Sequence, residues 1–296
     1  VSSARPLADK ESRQFELAFA LHEPAHVQAP GLFRSLDRRA RERDRKLHLV
    51  YRRGDRVLTF EAPSQLSAVD ARVLAVLVGF AGLRGVVPSA SAQLDLVNLD
   101  AYFFPSFDEK RPLVVRDISV SAIAREMGYS ASAAGSRTTV FQSVLRLVDV
   151  RVTEQLANGR EGAKVPLLTV GWRTTGQDKR LTVALNPWLA GAVLGGQHAR
   201  IDLAQLRAIG SDAATLLLLR LSALIDPGGQ RDIGVTKLLE YVHGVGVSGV
   251  YEPAGVAATE RGRAARLNKS LGELRMIGWQ IDRTTVGKFC VRRPAS

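Results

Sequence analysis

The strongest constraint on how this chain can fold is that one order of signals occurs twice. Arg116-Asp117-Ile118-Ser119-Val120-Ser121 precedes a helical stretch from Ala122 to Met127. Arg231-Asp232-Ile233-Gly234-Val235-Thr236 precedes another from Lys237 to Val242. Each run follows a leucine-rich helix opened by a polar residue, Ser67-Ala-Val-Asp-Ala in one copy and Ser211-Asp-Ala-Ala in the other. Each is followed by a loop, a longer amphipathic helix and strand-like residues. A repeated set of elements, each with one apolar face to bury, reads as tandem units.

The end of the second copy, Val256 to Arg293, is the most explicit. Leu267, Leu271, Leu274 and Ile277 fall at i, i+4, i+7 and i+10, so one stripe of a helix faces a core. Arg266, Lys269 and Glu273 lie off that stripe beside the small residues Ala265 and Gly272. Gly278 stops the helix, and Trp279, Ile281, Phe289 and Val291 alternate around a turn at Val286-Gly287-Lys288. Periodicity alone fits an amphipathic helix with solvated charges equally well. The second copy favours more: a helix followed by a basic hairpin is how a winged helix-turn-helix domain ends.

In the first copy a helix is expected from Ser67 to Phe80, with Leu74 and Leu77 buried, and Ser121 is the expected cap of the next short helix. A turn of small polar residues, Tyr129 to Ser136, then leads to a helix from Thr138 to Leu147 in the recognition position. Val150 to Glu154 and Val165 to Trp172 are read as its wing, with Arg160 and Lys164 at the tip. Upstream, an amphipathic helix is expected over Ala29 to Arg45 and a hairpin over Leu47 to Phe60, turning at Arg53-Gly54-Asp55. Leu94 to Lys110 has no counterpart in the second copy and reads as an insertion. In the second copy a short helix from Trp188 to Leu194, a strand from Ala199 to Ile201 and a cap at Asp202 or Ser211 are expected. The fold class is therefore α+β, two tandem winged helix-turn-helix domains. Residues 1–21 form a flexible lead, 22–185 the first domain with a basic helix and an insertion, and 186–296 the second.

Lys and Arg exceed Asp and Glu by 41 − 29 = 12, which points to a polyanionic partner, most simply nucleic acid. Arginines cluster between Arg34 and Arg56, on a segment that is solvated, DNA-facing or helicase-facing. The single cysteine, Cys290, allows no intrachain disulfide and fits a reducing bacterial cytoplasm. No apolar run approaches the roughly 18 residues of a membrane span, and no secretory signal is read at the N-terminus, so no membrane partner is expected.

No catalytic residue, metal or cofactor is expected. His22-Glu23-Pro24-Ala25-His26 spells H-E-x-x-H, but Pro24 sits inside the helix that zinc chemistry would need, so capping or turn contacts are expected instead. Gly244-Val-Gly-Val-Ser-Gly249 spells G-x-G-x-x-G after a helix rather than a strand, and opens no dinucleotide fold. There is no phosphate-binding G-x-x-x-x-G-K-[ST] loop, and no histidine pair stands with a tyrosine nucleophile: Tyr241 and Tyr251 lie in glycine-rich surroundings.

Four blocks carry a family likeness. They are His22 to Arg34 (Pro-Ala-His, then Ala-Pro-Gly-Leu-Phe-Arg), Leu181 to Ile201 (Val-Ala-Leu-Asn-Pro, then Gly-Gly-Gln-His), Leu217 to Gly228 (ending Ile-Asp-Pro-Gly), and Leu274 to Pro294 with its Gly-Trp, Gly-Lys and Arg-Arg-Pro. In order and spacing, from about residue 22 to the end, the chain resembles the RepC-type replication initiators of IncQ-family plasmids. The resemblance implies a protein of two winged helices that binds directly repeated sites (iterons) in a plasmid origin. It also implies opening of an adjacent A+T-rich stretch and loading of a plasmid-encoded helicase, with a plasmid primase acting next.

Two linked recognition helices can read successive major grooves about one turn apart. Base contacts are expected from Arg261, Arg263, Arg266 and Lys269 in the second unit, arginine to guanine above all. In the first unit they are expected from Arg137, Thr138, Thr139, Gln142 and Arg146. Lys288, Arg292 and Arg293, with Arg160 and Lys164, are expected on phosphates. The alternative is a dimeric winged-helix transcriptional regulator or partition protein on a palindromic operator. A monomer and a homodimer both fit the sequence.

Overall fold

The computed structural model describes residues 16–36, 46–88, 111–156, 162–243, 260–284 and 287–295. At its centre lies helix Ala68–Arg84, here α2, after the short α1 at Pro24–Gln28. Residues 71 to 81 of α2 include no exposed position, so the helix is apolar nearly all round and packed on all sides. Its partners come from both copies of the repeat, and a single apolar cluster runs through them.

The two copies fold into the same order of elements. The first runs from α2 to strand β6 (Leu113–Ser119), α3 (Val120–Glu126), α4 (Ala134–Val148) and the hairpin β9 (Leu168–Thr175) and β10 (Asp178–Leu185). The second runs from α7 (Asp212–Leu224) to β12 (Gln230–Gly234), α8 (Val235–His243), α9 (Glu260–Met276) and the hairpin β13 (Gln280–Arg283) and β14 (Lys288–Arg292). The sheets match strand for strand: β6-β10-β9 in one and β12-β14-β13 in the other, all antiparallel. Between the copies lie α5 (Pro187–Val193), β11 (Ala199–Asp202) and α6 (Leu203–Ala208). Asp202 and Ser211 both act as caps, accepting from Gln205 N and Ala214 N.

Of the first wing expected at Val150 to Glu154 and Val165 to Trp172, only the end, from Leu168 to Trp172, falls in the equivalent hairpin as the start of β9; the rest belongs elsewhere. β7 (Arg151–Leu156) and β8 (Gly162–Pro166) extend the hairpin of β3 (Leu47–Arg53) and β4 (Arg56–Ala62) into a four-stranded sheet, β3-β4-β7-β8. The cause is apolar continuity, since Phe60 stands opposite Val152 and Val152 opposite Val165, all fully buried or nearly so. The hairpin equivalent to β13–β14 is instead β9–β10, where Thr175 pairs with Asp178 around Gly176 at φ +61°. A two-residue connection of that hand matches the twist of the strands.

Three other expectations change. The helix over Ala29 to Arg45 does not form across its described part: Pro30 and Gly31 (φ +93°) break it. Phe33–Arg34 (β2) then pairs in parallel with Leu66–Ser67 (β5), and the Gln65 amide donates to Gly31 O and Leu32 O. Residues 37–45 lie outside the described residues. The expected flexible lead is fixed over residues 16–21: Phe19–His22 (β1) pairs antiparallel with β11, and Glu16 N and Leu17 N donate to Glu126. Gly79 on α2 lies where Leu17 and Leu203 press in, so that a Cβ would sit 3.1 and 3.0 Å from their methyl carbons. The short helix α3 is capped by Ser119 rather than Ser121, its hydroxyl accepting from Ala122 N at 2.9 Å. The insertion expected at Leu94 to Lys110 and the run Gly244 to Gly249 lie outside the described residues.

Buried polar groups tie the copies together. Arg72 on α2 donates from Nε to Thr215 Oγ1 at 3.0 Å and from Nη2 to Ile209 O at 2.6 Å. Arg207 pairs with Glu126 at 3.1 Å, and the Gln28 amide donates to Ala223 O at 2.7 Å. Each satisfies groups that would be costly to leave unpaired away from water.

Candidate nucleic-acid interface

In the second unit α9 buries Leu267, Leu271 and Leu274 against α7 and α8 and leaves Ala264, Ala265, Arg266, Asn268 and Lys269 exposed. The exposed face is thus cationic, with small residues that allow close approach. Arg263 is half-buried beside it; Arg261 lies in the first turn of the same helix. Burial, with Arg263 and Arg266 adding to it, holds His243 below the usual histidine range. Further along the same face, one turn beyond Lys269, the helix is anchored by Glu273, which accepts from Gly210 N and Ser211 N at 3.2 and 3.0 Å. Burial alone would raise that carboxyl, but the bonds from Ser211 and Gly210 outweigh it and lower it.

On the adjoining hairpin Lys288 is exposed, and so is Arg292, whose guanidinium reaches the neutral side chain of Gln230 at 2.6 Å. Arg292 therefore keeps its charge uncompensated by that contact. Arg293 does not belong to this surface. It is 4% exposed and donates to Ser222 O, Ile225 O and Arg200 O at 2.8, 3.0 and 2.5 Å. These carbonyls include two at the C-terminal end of α7, so Arg293 closes the fold and is corrected from a phosphate contact to a structural one.

In the first unit α4 buries Val140, Val144 and Leu147 and exposes Thr138, Thr139 and Gln142. Arg137 is half-buried and donates to Ala131 O and Ser132 O at 3.0 Å each, so it holds the preceding turn. Arg146 points inward. Its Nη2 lies 2.7 Å from Oδ1 of the fully buried Asp70, which also accepts from Ser143 Oγ at 2.5 Å. Through Oδ2 the same carboxylate accepts from Ser67 N at 2.6 Å, capping α2. Arg146 is thus corrected from a base contact to the clamp between α2 and α4.

Lys164, with its strand moved into the four-stranded sheet, pairs with Glu61 at 2.7 Å and is partly neutralised there. Arg160 lies outside the described residues. The hairpin that takes the place of the first wing, β9–β10, carries Trp172, which ends the expected wing strand, and Arg173, Lys179 and Arg180, which did not stand out in the sequence. The available signal was Thr175-Gly176-Gln177-Asp178, a turn between two alternating strands.

The H-E-x-x-H string takes a structural form. Glu23 caps α1 by accepting from Ala25 N, Pro24 occupies the first turn, and Arg53 pairs with Glu23 at 3.0 Å. His22 and His26 are buried with ring centroids 6.3 Å apart, and burial lowers them to about 4 and about 3. Among the described residues no group of three or more His, Cys, Asp or Glu is placed to hold a metal. Nor is any described helix long and apolar enough to cross a membrane.

The chain is similar in fold to the crystal structure of selenomethionine derivatives of domains 2 and 3 of RctB, with TM-score 0.51, 9% identity and coverage of 93% of this chain and 99% of that one. A second structure of RctB domains 2–3 matches with TM-score 0.50 and 11% identity, over 92% of this chain and 97% of that one. No curated protein sequence matches the chain. The family model described as replication protein C (RepC) matches residues 14–295, nearly the whole length. The chain belongs to the RepC family of replication proteins.

Proposed function

We propose that this protein is a plasmid replication initiator that binds directly repeated iterons as duplex DNA through two tandem winged helices. The observation that carries the reading is the duplicated order of elements with matching strand orders, each copy presenting a polar face on its longer helix. The units correspond to residues 22–185 and 186–296, with residues 16–21 packed between them. α9 is the second recognition helix, with Arg261, Arg263, Arg266 and Lys269 towards base edges and Lys288 and Arg292 on phosphates. α4 is the first, with Thr138, Thr139 and Gln142 towards bases and Arg137 shaping its entry turn.

Its role in initiation is binding, not bond cleavage. Energy from the DNA contacts offsets the cost of deforming an adjacent A+T-rich stretch, which is a few kcal/mol, and the complex recruits the replicative helicase. The packing of α2 against α7, with the buried Arg72 of α2 bonded to Thr215 and Ile209, supports a fixed phase between the two recognition helices. The test is a mobility-shift titration on tandem direct repeats, one repeat and a palindrome. One chain bound per repeat is the expected result. A dimer preferring the palindrome would replace this reading with that of a winged-helix regulator.

A further inference from the structure

Of the three tryptophans, Trp188 and Trp279 are 7% and 2% exposed, whereas Trp172 on β9 is 46% exposed. Strand alternation decides what surrounds it. Trp172 stands opposite Leu181, and Lys179 opposite Thr174, so Trp172 and Lys179 share the sheet face that meets α4. Arg173 and Arg180 stand opposite each other on the other face, where both approach Asp117 at 2.9 and 3.6 Å. Asp117 is held at φ +59° beside a register shift in the β6–β10 pairing, which turns it towards those two arginines.

On the helix-facing side, the Trp172 ring meets Phe141 of α4 edge to face, with centroids 5.5 Å apart at 76°. Lys179 Nζ lies over the same Phe141 ring at 5.1 Å. Phe141 is the neighbour of Gln142 and one turn from Thr138, both on the exposed face of that helix. A half-exposed indole, a second ring holding its edge and one cation thus border the surface assigned to DNA in the first unit. An indole gains little from standing in water. Flat aromatic surface beside a cation is what a nucleobase or deoxyribose with its phosphate complements.

We propose that Trp172, braced by Phe141 and flanked by Lys179, packs against a base or sugar of the bound DNA, giving the first unit an apolar contact. This rests on the initiator reading. It also accounts for the scarcity of exposed cations on α4: the first unit binds partly through ring contact, the second mainly through charge.

The experiment follows tryptophan fluorescence and acrylamide quenching of the wild-type chain during titration with the direct-repeat duplex. Binding should shift the emission and shield Trp172 from acrylamide, since the other two indoles are already buried. Trp172→Ala should weaken binding roughly 5- to 150-fold, and Trp172→Phe should keep most of it. In Trp172→Ala the slope of log affinity against log salt should stay unchanged, because no phosphate contact is lost. Unchanged emission and quenching at saturating DNA, or wild-type affinity in Trp172→Ala, would overturn the proposal while leaving the initiator reading in place. Failure of the wild-type chain to bind any duplex would remove the initiator reading instead.

Discussion

Replacing Asp70 with alanine should be among the most damaging single changes in the first unit, although Asp70 is remote from the exposed faces. Its fully buried carboxylate accepts from Ser67 N, Ser67 Oγ, Ser143 Oγ and the Arg146 guanidinium. Losing the cap of α2 costs about 1 kcal/mol. A buried Ser143 hydroxyl without a partner adds about 1–3 kcal/mol. Removing one partner of a buried pair costs about 3–5 kcal/mol in all, but the Arg146 side chain is 31% exposed and can turn to water. The expected total for Asp70→Ala is therefore about 3–4 kcal/mol, lowering Tm by roughly 10 °C. Arg146→Ala should cost about as much, about 3–4 kcal/mol, because the serine donors still bond to Asp70 but leave its fully buried carboxylate without a counter-charge. A urea-unfolding cycle of both single variants and the double variant checks this, with a coupling of about 1 kcal/mol or more expected. A loss below about 1 kcal/mol for Asp70→Ala, or full additivity, would refute the clamp.

Acid should act through the two buried histidines. Burial holds His22 and His26 at about 4 and about 3, below the ordinary 6.5, so the unfolded chain binds more protons between those values. Stability should be whole above about pH 6.5 and fall towards pH 4, by as much as about 1.4 kcal/mol per pH unit for each histidine. His26→Phe should flatten that slope in urea melts, and an unchanged slope would remove the histidines as its source. Arg293→Ala should destabilise by about 2–3 kcal/mol and leave the salt slope of DNA binding untouched. Lys288→Ala should do the reverse: stability within about 0.5 kcal/mol and a salt slope lower by about one.

The order of elements in both copies was legible because each long helix carries its own buried stripe. Val140, Val144 and Leu147 in one, and Leu267, Leu271 and Leu274 in the other, are local patterns that need no knowledge of the partner. The first hairpin was not legible for the opposite reason. Arg151–Leu156 and Gly162–Pro166 alternate as well as a wing would, and what diverts them is Phe60 on a strand far upstream. Arginine roles divide the same way. Arg266 and Arg146 look alike in a helical pattern, yet one ends in water and the other on Asp70, a partner that only the tertiary fold brings near. Arg293 in its Arg-Arg-Pro run gave no sign of the three carbonyls that enclose it.

The most direct test of the central claim is a hydroxyl-radical and methylation-interference footprint of one chain on one repeat, run with wild type, Gln142→Ala and Arg266→Ala. The account expects two protected major-groove segments about one turn apart, with Gln142→Ala weakening contacts in one segment and Arg266→Ala in the other. A single protected segment per chain, or both variants affecting the same segment, would contradict the placement of both helices on one DNA.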